Sequence, residues 1–169
     1  MALALVNALN HWAALALPDD PKNGALFDAL GIGSGTRVAM VGLFGPLMRI
    51  FRDRGAVVEV VDLHRRLGQP AEFLPKLRAW ADVLILTATS ILNATTEEIL
   101  AAVGDGVKTV LLGPSTPLAA EAFAHLPVHF LAGTVPLDRE AVFKAVRHGA
   151  GTRVIQKYGR KVFMPTRAL

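Results

Sequence analysis

The sequence predicts a three-layer α/β domain with about five parallel strands, most simply in the order 2-1-3-4-5. Three observations predict it. Short apolar runs alternate with helix-like stretches of about 8 to 12 residues, the rhythm of βαβ units. Three of those runs end alike: Val83-Leu84-Ile85-Leu86 breaks into Thr87 to Thr95, Val110-Leu111-Leu112 into Gly113 to Pro117, and Phe130-Leu131 into Ala132 to Pro136. Helix-start signals then follow these breaks, with acids in or near the first turn. In a parallel sheet such breaks gather along the carboxyl ends of the strands, where ligands bind.

Taken in order, residues 1–15 read as a helix with a broad apolar face (Leu3, Leu5, Val6, Leu9, Trp12, Leu15) that Asn7 and Asn10 interrupt. Pro18-Asp19-Asp20-Pro21 is a turn cluster. A short helix from Asn23 to Leu30 stops at Gly31. The first strand is Arg37 to Val41, and Gly42-Leu43-Phe44-Gly45-Pro46 leads from it into a helix ending near Arg54 and Gly55. The second strand, Val57 to Val61, runs into Asp62-Leu63-His64, with a helix over about 71–80 behind it. The third strand is Asp82 to Leu86, and its helix starts at Thr95 or Thr96, where Glu97 and Glu98 suit the first turn, and runs to Val103. The fourth strand is Lys108 to Leu112, followed by a helix over 117–124. The fifth strand is Val128 to Leu131, and Asp138 caps a last helix that ends at Arg147. The tail from Thr152 alternates weakly and reads as a hairpin or an extended arm. Three segments result: a helical lead over 1–34, the α/β domain over 35–151, and a basic hairpin or arm over 152–169.

Composition narrows the function. The chain has 169 residues, enough for one domain and a short appendage. It is 52% hydrophobic, so apolar surface is left over for a partner. There is no cysteine, which excludes disulfides, thiolate metal sites and thiol catalysis. No apolar run reaches the roughly 18 residues of a spanning helix, and the apolar start lacks a basic leader, so a cytoplasmic location is expected. The net charge is +4, and the segment 141–169 holds Lys144, Arg147, Arg153, Lys157, Arg160, Lys161 and Arg167 with no acid. A solvated basic tail explains this skew, and attraction of an anion is the sharper alternative. Aromatic residues do not interleave with the basic ones, so nucleic acid is not an expected partner.

Candidate site residues fall at the strand ends. Gly31-x-Gly33-x-Gly35 precedes a strand, so it is a loop rather than a dinucleotide fingerprint. Gly42, Phe44 and Gly45 follow a strand and open a helix, which allows close approach of a ligand to backbone. Asp62 lies where an acid holds ribose hydroxyls in nucleotide-binding domains, although a turn Asp is equally at home there. Thr87, Thr89, Ser90, Asn93 and Thr95 offer neutral hydrogen-bonding groups, as do Gly113, Ser115 and Thr116, with Gly133 at the third break. Ser115 is not set in a GxSxG elbow, so it does not read as a nucleophile. Among five histidines, His125 and His129 are separated by Pro127 and do not form a helical metal pair, whereas His64 lies beside Asp62 at the pocket edge. Asp62 and His64 are the only metal candidates, and both are weak.

Taken together, these segments resemble a family of Rossmann-like domains of unknown function described as “putative heavy-metal chelation”. The resemblance rests on Val6 to Asn10, Val41 to Leu47, Asp82 to Thr95, Gly113 to Pro117, Ala132-Gly133 and Gly149 to Thr152, in that order along the chain. It implies an N-terminal enolase-N-like domain, with the active site between the two domains. Only residues 1 to about 34 precede the first strand here. The expectation is therefore a homo-oligomer, or a partner that supplies the missing domain. Without cysteine, the pocket suits an organic ligand or a metal chelate better than a bare soft ion. The first functional reading is binding of a small anionic or metal-chelating ligand at the carboxyl ends of the strands, with no membrane involved. The alternatives are an enzyme using a nucleotide-type cofactor (S-adenosylmethionine or NAD-like) and an assembly subunit with a vestigial pocket. No residue stands out as nucleophile or base, so binding and catalysis both remain open.

Overall fold

The structure, a computed structural model, describes residues 2–167. One six-stranded sheet runs through it: β1 (Arg37–Val41), β2 (Val57–Val61), β3 (Val83–Thr87), β4 (Lys108–Leu112), β5 (Phe130–Pro136) and β6 (Gly159–Pro165). The order is β2-β1-β3-β4-β5-β6. The first five strands are parallel, with the switch point between β1 and β3 as expected, and β6 runs antiparallel to β5.

The central strands β1, β3 and β4 are buried on both faces, successive side chains pointing to opposite sides. Val38, Met40, Val83, Ile85 and Val110 pack under α3 (Gly24–Leu30) and α4 (Gly45–Asp53), where Phe27 and Phe51 meet edge to face at 4.9 Å. Ala39, Leu84, Leu86 and Leu111 pack under α5 (Pro70–Ala79) and α7 (Thr96–Ala101) through Phe73, Leu77, Ile99 and Leu100. Each fully buried Phe or Leu contributes about 1.5–3 kcal/mol of transfer free energy, so these two layers dominate the stability. Gly31 and Gly55 end α3 and α4 in the left-handed conformation, at φ 76° and 75°. The start of α3 is capped from a distance: the buried Asp20 carboxylate accepts hydrogen bonds from the Leu26 N–H at 2.9 Å and the Ala25 N–H at 3.3 Å. Asp138 caps α8 (Arg139–Arg147) as predicted, accepting from the Ala141 N–H at 2.9 Å.

Five expectations are corrected. The helix expected over 1–15 is two helices, α1 (Ala2–Leu9) and α2 (His11–Leu15). The break falls at Asn10, whose side-chain amide donates to the Val6 carbonyl and so competes with the helical bond from its own backbone N–H. The helix expected over 117–124 is only a 3-10 turn, Ala120–Phe123, where the short crossover needs only to seat Leu118 and Phe123 on the sheet. The third apolar run does not break after Leu131. It continues as β5 to Pro136, paired along its length with β6, and Gly133 lies inside that strand against Leu118. A short α6 (Thr89–Leu92) forms within the break expected from Thr87 to Thr95. The basic tail forms α9 (Thr152–Ile155), a 3-10 turn and β6, so the expected arm is drawn into the sheet and its Val162 is buried. Among the described residues, no helix is long and apolar enough to cross a membrane. Leu5, Leu9 and Trp12 on α1 and α2 are exposed, Trp12 at 81%.

Candidate functional site

The predicted strand ends form one continuous edge. Gly42 takes φ +84°, and a Cβ there would sit 2.9 Å from the Thr87 Cβ and Cγ2, so only glycine lets the ends of β1 and β3 approach this closely. Gly113 abuts Ala88, whose N–H donates to the Leu112 carbonyl at 3.0 Å, which carries the contact on to β4. Asp62 joins β2 to the same edge. One of its oxygens accepts from the Leu43 N–H at 2.8 Å and the other from the Arg65 N–H at 3.0 Å. Burial alone would raise the pKa of this carboxyl. Hydrogen bonds from the Leu43, Arg65 and His64 amides, with the Arg65 charge, overcome that and hold it below the usual carboxylate value. Asp62 is therefore engaged in fixing the β1 loop and its own turn, with both oxygens turned inward rather than offered to a ribose.

The hydroxyl-rich segment is also largely self-engaged. Ser90 is buried and its hydroxyl pairs with that of Thr96 at 2.7 Å. The Thr95 hydroxyl turns to the Ser90 carbonyl at 3.5 Å instead of capping α7, and Thr87 pairs with Thr89 at 2.9 Å. Asn93 is exposed at the end of α6, Phe44 is half-buried against the core, and Gly45 opens α4 at the surface. His64 is exposed in the turn after β2. Among the described residues, no three His, Asp or Glu side chains converge in a way that could hold a metal ion.

A cavity of ≈560 Å³ opens further along this edge, at the carboxyl ends of β4 and β5. Its volume is in the range of small-molecule sites. Its roof is α1 and α2, its floor the loop after β4 and the end of β5, and its far wall α8. Of the predicted residues only Thr116 lines it directly. Ser115 takes part through its carbonyl, which accepts from the Asn7 side-chain amide at 2.9 Å and ties α1 over the cavity. The lining is mainly apolar, with Leu118, Leu137 and Phe143 prominent. Into it come Asn7, Asn10, His11, Thr134 and Arg139, and among the described residues Arg139 alone brings a permanent charge. The Thr116 hydroxyl is buried and has no hydrogen-bond partner. A buried polar group without a partner costs about 1–3 kcal/mol. Sequence reasoning missed Asn7, Asn10, His11, Thr134 and Arg139 as site residues. The signal for the first two was present, because polar amides interrupting an apolar helix face need a polar counterpart nearby.

A family profile described as “Putative heavy-metal chelation” (DUF364) matches residues 25–165. Two solved structures share the fold. One is a DUF364-family protein of unknown function from Pyrococcus horikoshii, 17% identical with a TM-score of 0.77, covering 96% of this chain and 66% of that one. The other is a DUF364-family protein of unknown function from Desulfitobacterium hafniense DCB-2, 23% identical with a TM-score of 0.72, covering 96% of this chain and 64% of that one. The chain thus spans just under two thirds of the length of either. No curated protein matches it.

Proposed function

The chain belongs to the DUF364 family, described as “Putative heavy-metal chelation”, and from that premise we propose that it holds a small organic anion, or a metal already complexed by one, in the cavity at the carboxyl ends of β4 and β5. The observation that carries the reading is the donor set. An apolar cavity presents one fixed positive charge, Arg139, beside the neutral polar side chains of Asn7, Asn10, His11 and Thr134. Such a set suits a carboxylate or a similar anionic group on an apolar frame. It does not suit a naked metal ion, which needs several converging His or carboxylate ligands. Asn7, Asn10 and His11 would orient the ligand's other polar atoms from the roof. Metal handling in this reading proceeds through the ligands that the metal brings with it.

Thermal melting and calorimetry with free Zn²⁺, Ni²⁺ and Cd²⁺, with citrate, and with the citrate complexes of those metals test this. Citrate or its complexes should stabilise the fold saturably, by about 2.7 kcal/mol at a hundredfold excess over Kd, while the free ions should not. Arg139→Gln should weaken binding at least about tenfold, near 1.4 kcal/mol. Saturable binding of a free ion, or unchanged citrate affinity in Arg139→Gln, would overturn the proposal.

A further inference from the structure

The opposite end of the sheet carries a second cavity, ≈270 Å³, at the amino ends of β4 and β5. Three elements far apart in sequence bring basic side chains to it. Lys108 opens β4, His129 immediately precedes β5, and Arg167 follows β6. The rest of the wall is chiefly apolar, including Leu126 and Phe130. Lys108 spends one donor on the Ala29 carbonyl at 3.2 Å, and Arg167 spends one on the Ala124 carbonyl at 2.9 Å. Their remaining N–H groups have no hydrogen-bond partner among the described residues.

His129 is fixed in one tautomer. Its Nδ1 accepts a hydrogen bond from the Thr109 N–H at 3.0 Å, so that nitrogen carries no proton and the neutral ring must carry it on Nε2. The ring therefore joins Lys108 and Arg167 as a donor. Burial first, and then the charges of Arg167 and Lys108, hold its pKa below the ordinary imidazole value, which keeps it in that neutral form at pH 7. The one other polar side chain of the wall, Thr166, turns its hydroxyl to the Val128 carbonyl. No Asp or Glu lines the cavity, and among the described residues no carboxylate is paired with Lys108 or Arg167.

We propose that this cavity is a binding site for a small tetrahedral oxyanion of the phosphate type, held by Lys108, Arg167 and the Nε2–H of His129. Two cations facing one cavity without a counter-charge repel, and an anion between them turns that repulsion into two charge-assisted contacts. Arg and Lys suit phosphate oxygens, the first through its planar fork and the second as a compact charge. The volume falls below the usual range for drug-sized ligands, which matches a small ion or the phosphate end of a larger molecule. Both basic side chains belong to exposed residues, so an anion can enter from solvent. The site also gives part of the unbalanced basic tail a destination. Arg160 of that tail pairs with Asp19, whereas Arg167 turns to this cavity.

The site lies at the far end of the sheet from the cavity that binds the organic anion in our reading, so the two stand or fall separately. The test is titration of the whole chain with inorganic phosphate at constant ionic strength, followed by ¹H–¹⁵N NMR of the His129 ring and the Thr109 amide, with chloride as the control. A saturable shift at both groups is expected with phosphate and not with chloride. Lys108→Gln and Arg167→Gln should each weaken it at least about tenfold, while Lys108→Arg stays within about threefold and Arg139→Gln has no effect. Arg167→Gln removes one contact to an exposed segment, so it keeps the test valid should loss of the Lys108 bond to Ala29 disturb folding. A phenyl phosphate arm separates the sources: equal affinity marks the phosphate group alone as the ligand, and tighter binding marks a phosphate ester, either of which supports the site. A shift that fails to saturate, follows chloride, or persists in both Gln variants would show an adventitious ion only and overturn the proposal.

Discussion

Thr116 and Asp62 are both polar residues at the carboxyl edge of the sheet, and they behave oppositely. The Thr116 hydroxyl is buried without a partner. Thr116→Val keeps the shape and deletes the stranded group, so global stability should hold or rise by up to about 1 kcal/mol. Chemical denaturation beside calorimetry checks this, and a clear loss of stability would reveal a partner for the hydroxyl in the free protein. Asp62 is fully engaged, by the Leu43 and Arg65 amides. Its pKa is depressed on folding, so its contribution is complete above the unfolded carboxylate value, near 3.9, and is lost as pH falls through the lower folded value. Asp62→Ala should therefore cost about 1–2 kcal/mol at pH 7, and its gap from the parent should close as the pH drops below about 4. A gap that does not change with pH would rule out the ionised carboxylate as the cause. Both residues were visible in the sequence as strand-end polar groups. Which was spent internally and which was left open was not, because that depends on where the amides of Leu43 and Arg65 come to rest.

The β1 and β3 loops are the elements on which the edge depends. Gly42→Ala places a methyl 2.9 Å from Thr87 at a positive φ, so it should destabilise by about 2–4 kcal/mol, measured as a lowered denaturation midpoint with an unchanged slope. Gly45→Ala, at the start of α4 with open space around it, should change stability by less than about 1 kcal/mol. The strands β1, β2 and β4 stand where the apolar pattern put them: β1 and β4 are buried parallel strands that leave short apolar runs, and the edge strand β2 keeps a Val-rich run broken only by Glu59. The 117–124 segment failed for the opposite reason. Its alanines and leucine favour a helix locally, but the short crossover to β5 decides against one. The Ala132–Pro136 stretch failed because Gly, Thr and Pro read as punctuation, while a strand end that has outrun β4 and pairs only with β6 accepts them.

At the scale of the whole molecule, β6 closes the sheet. Val162 is 2% exposed and pairs with Gly133, while Lys161 beside it is only half-buried. Val162→Asp should cost about 3 kcal/mol or more, against less than about 1 for Lys161→Gln, with circular dichroism melts separating the two. A mild Val162→Asp would mean that β6 is a dispensable appendage. The sequence by itself determined the α/β class, the parallel order 2-1-3-4-5 and the edge on which polar groups gather, because strand burial, helix caps and βαβ handedness are local properties of the chain. Only the tertiary structure decided that the tail becomes a sixth strand, that α1 folds over the end of β5, and that Lys108, His129 and Arg167 meet. Those contacts join residues 20 to more than 100 positions apart, and no local pattern encodes the distances that make them.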